Sequence, residues 1–544
     1  MHRLKSIYFY FLLISVNIIK IIKKTYFKTS FYNKSLKSEV PKQFYFFPNP
    51  FLLSSITPYK NFSFDVDDFD PYQFLKKKTT RKEERNIHNF IWLNLINRKN
   101  NSLVIQKIIT VWIFKNSTYQ DLIWENSVTS LRIISWILNA EIILNNTDNI
   151  FKNNFFQSVM MQTNHLKKNI KFEKNDLKKL QSIIAILLTG LVFKEYSNNY
   201  DLAVKELEKL LVNFYDKEGF PLNRNPDHLL VFSKFLILVK ECIKDSQQYT
   251  PDYLDEIVEK NINSLKSIAT PNNQLPLFNG STEINLDSYF NLMKALNYKF
   301  KKNQTKIGNL QIIKYKKNYV YFDVGNPPKR KRSDNYQSGP LSFEYFIDNQ
   351  KIITNCGFGN NISKKAKFLS RLTSAQSTLC LDDTSVIKFE KNYVFNNALK
   401  GSFKVFNLDY GENELSIASS ATHDAYLHNI GYLHKRTIKI QKSNNVLCGT
   451  DELINKNSRK NVKFDIRFHL YPGIAAFQTM GGGSILIQLG KNKSLIFTSM
   501  GQKLSIEKSI FFGGNKILNN LCITISGSII NETKKIKWEF KKNI

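Results

Sequence analysis

The side chains best suited to acid–base chemistry or metal binding are a few histidines and a tyrosine in the second half of the sequence. His423, Tyr426 and His434 fall near the ends of predicted strands, where they could line a cleft or lie buried and hydrogen-bonded. His469 stands beside Arg467 on a strand of alternating polarity and could be a metal ligand. Because no complete ligand set accompanies it, we predict no cofactor and leave a structural divalent metal as an alternative.

Arg224 is the candidate binding residue of the first half. It lies in a loop that also contains Gly219 and Pro226. A guanidinium group can bind a carboxylate through two parallel hydrogen bonds. We therefore expect Arg224 either to hold a carboxylate of a ligand or to brace its own loop.

The net charge favours a polyanionic partner. Among 544 residues, 78 Lys and Arg against 45 Asp and Glu give +33, which suits nucleic acid, an acidic membrane surface or an acidic polysaccharide. Only 12 of the basic residues are Arg, the side chain that reads guanine and phosphate bidentately. We therefore expect no nucleic acid, although Lys329–Arg332 forms a basic run that is either a nucleic-acid patch, part of a cleft rim or a solvated loop.

The cysteines do not indicate a zinc or disulfide framework. They are five in number, scattered, and without a C-x-x-C pair: Cys242, Cys356, Cys380, Cys448 and Cys522. Near the N-terminus, the apolar run from Ile7 to Ile19 is too short to span a bilayer but has the length of a signal-peptide core. We leave open whether residues 1–24 are an export signal, a membrane anchor or an amphipathic helix of the fold.

Two kinds of periodicity divide the rest of the chain. Apolar residues recur at three- and four-residue steps from about residue 85, as in Asp176–Phe193, and predict helices joined by short loops, in a solenoid or a closed α/α toroid. After about residue 305 the period becomes two, as in Leu341–Ile347, and short strands alternate with turns. We predict a lead-in over residues 1–84, a helical domain over 85–300 and an antiparallel β-sandwich over 305–544.

Several distinctive segments follow one another in order between residues 85 and 475. They are Trp92 to Asn94, Ser130 to Trp136, Asp216 to Pro226, Leu341 to Glu344, Arg371 to Leu379, His423 to Tyr426 with His434 and Arg436, and Phe468 to Pro472. Together they resemble the signatures of the heparinase II/III family of polysaccharide lyases. The resemblance implies an α/α toroid joined to an antiparallel β-sandwich, and β-elimination on chains that contain uronic acids.

The resemblance also implies where the catalytic groups should lie, and most of those positions are altered. In the family an Asn, a Tyr and a His carry the reaction, whereas here the Tyr position holds His228 and the His position holds Gln337. The nearest Asn, Asn175, is two residues from its aligned position, and Tyr336 adjoins Gln337. We predict these four as the catalytic set, with His228 or Tyr336 transferring the proton, because a glutamine amide can donate a hydrogen bond but cannot exchange a proton near neutral pH.

The same alignment supplies candidate contacts for the sugar or its carboxylate: Arg224, Asn335, Gln376, Arg371, His423 and Tyr426. We expect a protein of the cell envelope or periplasm, or alternatively of the cytoplasm, that acts on an acidic polysaccharide by β-elimination. The alternative is a catalytically inactive glycan-binding or envelope-assembly protein of the same fold, with membrane contact through the N-terminal segment.

Overall fold

A computed structural model describes residues 18–19, 21–57, 70–76, 80–96, 102–301, 304–389, 399–490 and 493–543. The chain divides into two compact units. The helical unit contains the chain up to Phe214 together with Val231–Glu259, and the strand unit contains Tyr215–Leu230 together with Lys260–Ile544. The predicted boundaries at residues 84/85 and 300/305 remain a proposal.

The long helices follow the predicted three- and four-residue periodicity. They are α1 (Ser102–Lys115), α2 (Asn126–Leu138), α3 (Asn149–Asn169), α4 (Asp176–Val192), α5 (Asn198–Phe214), α6 (Pro226–Asp245), α7 (Asp252–Ile268) and α8 (Asp287–Ala295). Shorter helices cover residues 21–28, Ser30–Lys34, Pro71–Lys76, Arg81–His88, Ala140–Ile143, Lys364–Leu369 and Leu427–Ile430. That the helices close into a toroid remains a prediction.

The core of the helical unit is built on aromatic rings and one buried arginine. Trp112 and Trp136 meet edge to face, with ring centroids 5.2 Å apart. The Arg132 guanidinium lies 4.1 Å from the Trp112 ring and donates hydrogen bonds to the backbone carbonyls of His88 and Ile123. The Ser130–Trp136 segment therefore crosslinks the core of this unit.

The strand unit contains two large antiparallel sheets. The first joins β1 (Lys306–Ile307), β2 (Leu310–Tyr315), β3 (Asn318–Asp323), β4 (Phe343–Ile347), β5 (Gln350–Thr354), β13 (Asn461–Leu470), β18 (Leu518–Ile530) and β17 (Lys503–Phe511) in that order, with β6 (Leu379–Leu381) beside β13. The second joins β14 (Ala475–Gln478), β15 (Ser484–Gly490), β16 (Lys493–Thr498), β19 (Lys534–Asn543), β12 (Val446–Asn455), β11 (Tyr432–Gln441), β10 (Ser416–His423) and β9 (Val405–Glu412). A small ribbon pairs β7 (Lys388–Phe389) with β8 (Leu399–Lys400).

The two large sheets share one apolar core. Phe343 of β4 stacks on Trp538 of β19 with ring centroids 5.5 Å apart, and Phe468 of β13 meets the same indole edge to face at 5.0 Å. Alternate residues of the central strands belong to this core, as Phe343, Tyr345 and Ile347 of β4 show. A helical N-terminal part followed by an antiparallel β-sandwich is therefore confirmed.

The N-terminal segment is described only in part, because residues 1–17 and Lys20 lie outside the described residues. Among the helices that are described, none combines the length and the apolar character needed to cross a bilayer.

Candidate functional site

The loop before α6 is a tightly bonded turn of the strand unit. The Asp216 carboxylate accepts hydrogen bonds from the backbone N–H groups of Glu218 and Phe220, at 2.9 and 2.8 Å, and Gly219 takes a positive φ of 77° between them. The Asn225 side chain then accepts from the backbone N–H of Asp227 at 2.8 Å and starts the helix. This turn holds the first residues of α6 against the segment before β4.

His228 is the sequence-predicted proton-transfer residue that retains access to solvent. Its Nδ1 atom lies 2.6 Å from the Asn223 amide nitrogen, and its Nε2 atom lies 3.5 Å from the amide nitrogen of Asn335. All three side chains are partly exposed. The surrounding protein lowers the pKa of His228 to about 4, so the imidazole is neutral at pH 7. We call Asn223, Asp227, His228 and Asn335 the His228 corner.

Asp227 belongs to this corner, although sequence reasoning did not select it as a site residue. Its carboxylate accepts hydrogen bonds from the Ser281 and Thr282 hydroxyls, at 2.9 and 2.8 Å, and from the Thr282 backbone N–H at 3.2 Å. Burial raises the pKa of Asp227 to about 6, against the opposing effect of these hydrogen bonds. A polar residue directly before His228 was the only signal in the sequence.

Gly280 fixes how closely the neighbouring loop approaches the corner. Its φ of 97° is left-handed, and a Cβ atom at this position would lie 2.6 Å from the Asn335 Cβ and 2.8 Å from the Asn225 amide. The position therefore requires glycine. The Gly280 backbone N–H donates a hydrogen bond to the Gln337 side-chain oxygen at 3.0 Å.

Arg224 braces its loop and does not offer a free guanidinium. One terminal nitrogen donates to the Asp323 carboxylate, and the other donates to the carbonyls of Gly325 and Asn326, both at 3.2 Å. Its side chain is buried. The bracing alternative is therefore what the Arg224 contacts show. The role of Arg224 in holding a ligand carboxylate remains a prediction.

Gln337 and Gln376 also hold the backbone together. The Gln337 oxygen accepts from Gly280, and its nitrogen donates to the carbonyls of Gly357 and Ser370 at 2.9 and 2.7 Å. The Gln376 nitrogen donates to the same Ser370 carbonyl at 2.9 Å. Both side chains are buried, so the Gln337 amide has no donor left for a substrate carboxylate, and the amide N–H groups of Gln376 point at the backbone.

Arg371 and Tyr336 lie under the corner instead of facing solvent. Arg371 donates to the carbonyls of Tyr336 and Ser333, both at 2.8 Å, and burial lowers the pKa of its guanidinium to about 10. Burial raises the pKa of Tyr336 above its ordinary value, and the Tyr336 hydroxyl has no hydrogen-bond partner among the described residues. Both side chains are buried in this arrangement. Their roles in substrate binding and proton transfer remain predictions.

Asn175 lies in the helical unit and has a local structural role. It is the N-cap of α4, and its side-chain oxygen accepts from the backbone N–H of Lys178 at 3.0 Å. The side chain is exposed. Its predicted place in a catalytic set remains a prediction.

The comparisons with known proteins bear on the strand unit first. Residues 301–539 match the family described as Heparinase II/III-like, C-terminal. The chain carries a heparinase II/III-like C-terminal domain. The predicted resemblance to the heparinase II/III family is confirmed by this match.

Solved structures extend the likeness beyond this domain to most of the chain. The heparan sulfate lyase HepC from Pedobacter heparinus aligns with a TM-score of 0.65 and 14% identity over 90% of this chain and 82% of that one. A heparinase III aligns with a TM-score of 0.69 and 11% identity over 91% and 83%. At such identities the likeness establishes the fold alone.

A curated relative is also similar over part of its length. FtsZ-localized protein C of Caulobacter vibrioides is 26% identical over 240 residues, which cover 41% of this chain and 40% of that protein. The chain therefore matches less than half of the length of this relative.

Within the heparinase II/III-like domain, His423 belongs to a buried chain of polar groups. Its Nε2 atom lies 3.1 Å from Nδ1 of His434, whose Nε2 lies 2.6 Å from the Asp451 carboxylate. Arg436 and the Trp538 indole donate to the same carboxylate, at 2.7 and 2.8 Å. We call His423, His434, Arg436 and Asp451 the buried His–Asp cluster.

The buried His–Asp cluster has no access to solvent. Burial lowers the pKa of His423 well below its ordinary value, and it outweighs the opposing effect of Asp451 on the pKa of His434. Tyr426 is buried as well and donates to the Leu379 carbonyl at 3.2 Å. Of the two alternatives for His423 and Tyr426, the domain shows burial with hydrogen bonds. Their contacts with a sugar remain a prediction.

The domain offers no assembled metal site in its described residues. Across the described part of the chain, His, Cys, Asp and Glu nowhere gather in a group of three that could hold an ion. His469 is buried, with Nδ1 3.0 Å from the Ser509 hydroxyl and Nε2 3.0 Å from the Ser374 carbonyl. Its two ring nitrogens are therefore engaged by protein groups.

Proposed function

We propose that this protein binds an acidic, uronate-containing polysaccharide at the His228 corner and does not cleave it. The observation that carries this proposal is that two members of the predicted catalytic set, Tyr336 and Gln337, are enclosed or engaged by protein groups. Gln337 is bonded to backbone groups on both sides of its amide, and the Tyr336 hydroxyl is buried. The likeness to HepC, a heparan sulfate lyase by name, supports an acidic glycan as the ligand.

The chemistry of β-elimination explains why these contacts matter. The proton next to the uronate carboxylate is weakly acidic, so an enzyme must neutralise the carboxylate, remove the proton and protonate the leaving oxygen. Arg224 and Arg371, the arginines predicted to meet the carboxylate, donate to protein groups instead. A site that keeps polar side chains but lacks an accessible acid–base pair is suited to binding.

The open groups of the corner suit sugar recognition. The amides of Asn223 and Asn335 are partly exposed on either side of the His228 ring, and each carries both donors and an acceptor. The basic run Lys329–Arg332 is exposed at its first three residues and half-buried at Arg332. It precedes Asn335 by a few residues and places positive charge near the corner in the chain. The neutral amide donors suit the hydroxyl groups of a polysaccharide, and the positive charge suits its carboxylates.

A second candidate function is β-elimination through His228 alone. It is favoured by one observation, the partly exposed and neutral imidazole, which can accept a proton and return it to a leaving oxygen on the same face. This candidate uses no contribution from Tyr336 or Gln337.

The experiment that separates the two candidates follows ultraviolet absorbance of unsaturated uronate products over a panel of acidic glycans, alongside glycan binding. We expect measurable binding with no absorbance increase. An increase with the natural chain that disappears in His228→Asn would establish the elimination candidate. Absence of binding to every glycan would contradict both.

The proposal also covers where the protein is located and which competing partner it excludes. We place the protein at the cell envelope, supported by a relative named for its location with FtsZ. A nucleic-acid partner would instead give binding to DNA or RNA that falls steeply with salt and shows little glycan preference. Tighter binding to a uronate polymer than to nucleic acid at physiological salt would exclude it.

A further inference from the structure

The helix over residues 21–28 of the helical unit presents its apolar side to water. Ile21 and Ile22 are 63% and 61% exposed, and Ile19, just before them, is 62% exposed, while Phe27 is buried. A surface helix of a soluble protein normally turns its polar face outward and its apolar face inward. Here large aliphatic side chains occupy the outward face.

The orientation of this helix is fixed by contacts on its other side. The ammonium groups of Lys24 and Lys28 lie 3.5 and 3.3 Å from the Asp121 carboxylate. The Phe27 ring packs on Tyr32, with ring centroids 4.5 Å apart. Lys24 and Lys28 lie roughly opposite Ile19 and Ile22 around the helix, so turning these two isoleucines inward would break the pairing with Asp121.

Neighbouring aromatic residues enlarge the exposed apolar surface. Phe31 and Phe172 are 70% and 71% exposed, and the Lys23 ammonium bridges the helix to the Phe172 ring at 5.1 Å. We define the N-terminal apolar patch as Ile18, Ile19, Ile21, Ile22, Tyr26, Phe31 and Phe172. A patch of several contiguous large apolar side chains on a soluble surface marks an interaction site.

The charges around the patch are mostly positive. Lys34, Lys171 and Lys174 are exposed and adjoin its members in the chain, whereas Glu173 is partly buried and Asp121 is paired with lysines. An apolar face with a lysine rim is complementary to the boundary between headgroups and acyl chains of a bilayer that contains anionic lipids.

We propose that the N-terminal apolar patch docks this protein onto the surface of an anionic lipid bilayer. The isoleucines enter the boundary between headgroups and acyl chains, and the rim lysines contact the lipid phosphates. The helix lies in the plane of the interface and does not cross the bilayer. The proposal does not depend on the glycan function, since the patch belongs to the helical unit and the His228 corner to the strand unit.

The test is flotation of the full chain with phosphatidylcholine vesicles, with and without phosphatidylglycerol. We expect the natural chain to float with the anionic vesicles and to remain unbound with the neutral ones. Ile22→Glu is expected to lower the partition coefficient about tenfold or more, because it removes a buried aliphatic group and adds a charge that the anionic surface repels. Ile19→Glu is an independent second variant with the same expected loss.

The matched control is Val212→Glu, which changes an equally exposed aliphatic residue of α5 outside the patch. It is expected to float like the natural chain. Lys171→Glu is expected to weaken flotation at low salt and to have a smaller effect at high salt. Undiminished flotation of both isoleucine variants would overturn the proposal, as would an equal loss in Val212→Glu. So would failure to bind vesicles combined with an isoleucine-dependent dimer, which would make a second copy the occupant.

Discussion

Asp227 and Asp451 are two enclosed carboxylates of the strand unit with opposite behaviour. Asp451 is fully buried against Arg436 and His434. Burial alone would raise its pKa, but the charges and hydrogen bonds of Arg436 and His434 together outweigh that effect and hold the Asp451 pKa below its ordinary value. Asp227 receives only hydroxyl and N–H donors, and burial raises its pKa to about 6. The paired carboxylate belongs to the buried framework of the domain, and the carboxylate without a cation belongs to the corner where we propose that the glycan binds.

The largest effect is expected from removing the paired carboxylate. Asp451→Ala leaves the Arg436 guanidinium buried without its partner, which should lower the free energy of unfolding by about 3–5 kcal/mol. Urea denaturation measures this change. Asp409→Ala, at an exposed position of β9, is the control and should change stability by about 0.5 kcal/mol or less. If Asp451→Ala lowered the free energy of unfolding no more than the control does, Asp451 would not be a stabilising residue of the buried framework.

Replacing Arg224 tests whether this residue, which lies beside the His228 corner, stabilises the fold instead of binding a ligand. Arg224→Met leaves the Asp323 carboxylate buried without a cation and should cost about 3 kcal/mol of unfolding free energy. Arg459→Met, on an exposed arginine, serves as the control. Unchanged stability together with lost glycan affinity would instead make Arg224 a ligand contact.

The pH dependence of the unfolding free energy should reveal the raised pKa of Asp227. Its pKa of about 6 in the folded state exceeds the value of about 3.9 expected in the unfolded chain, so the folded state holds the proton more tightly. The stability gained from this proton is fully present below about pH 4 and is lost as pH rises through about 6. We expect a loss of about 2 kcal/mol, allowing for residual solvent screening.

Asp227→Asn should abolish that part of the pH dependence, because an amide does not titrate. The measurement is urea denaturation of the natural chain and the variant at several values between pH 4 and pH 7. Parallel curves for the two proteins would show that Asp227 does not titrate in this range.

The smallest effect on stability is expected at His228. Its side chain is partly exposed, and its ring contacts two amides of similar exposure. His228→Asn should therefore lower the unfolding free energy by about 1 kcal/mol or less. Thermal denaturation checks this, with His434→Asn as the contrasting change in the buried His–Asp cluster. If the two variants lost equal unfolding free energy, both histidines would be stabilising residues of the fold.

The sequence predicted the architecture because its signal is local. The three- and four-residue steps of α4 and the period of two in β4 each extend over a single element and predict its type. Burial of His423, near the end of a predicted strand, was likewise one of two alternatives and is what the structure shows.

The roles of the site residues depend on partners that are distant in the chain. Gln337 is fixed by Gly280 and Gly357, and Asp227 by Thr282, some 55 residues away. Asp451 was not selected either, although it faces Arg436 across the β11–β12 register. No local pattern encodes such contacts, so a residue aligned with a catalytic position could not be distinguished from a structural one.

The most direct test of the central claim is a titration of an acidic, uronate-containing glycan into the natural chain and into His228→Asn at one fixed salt concentration. We predict that the natural chain binds the glycan and that the variant binds it at least about tenfold more weakly. A tenfold difference in affinity corresponds to about 1.4 kcal/mol of binding free energy. Equal affinity of the two proteins, at unchanged stability, would contradict a glycan site at the His228 corner.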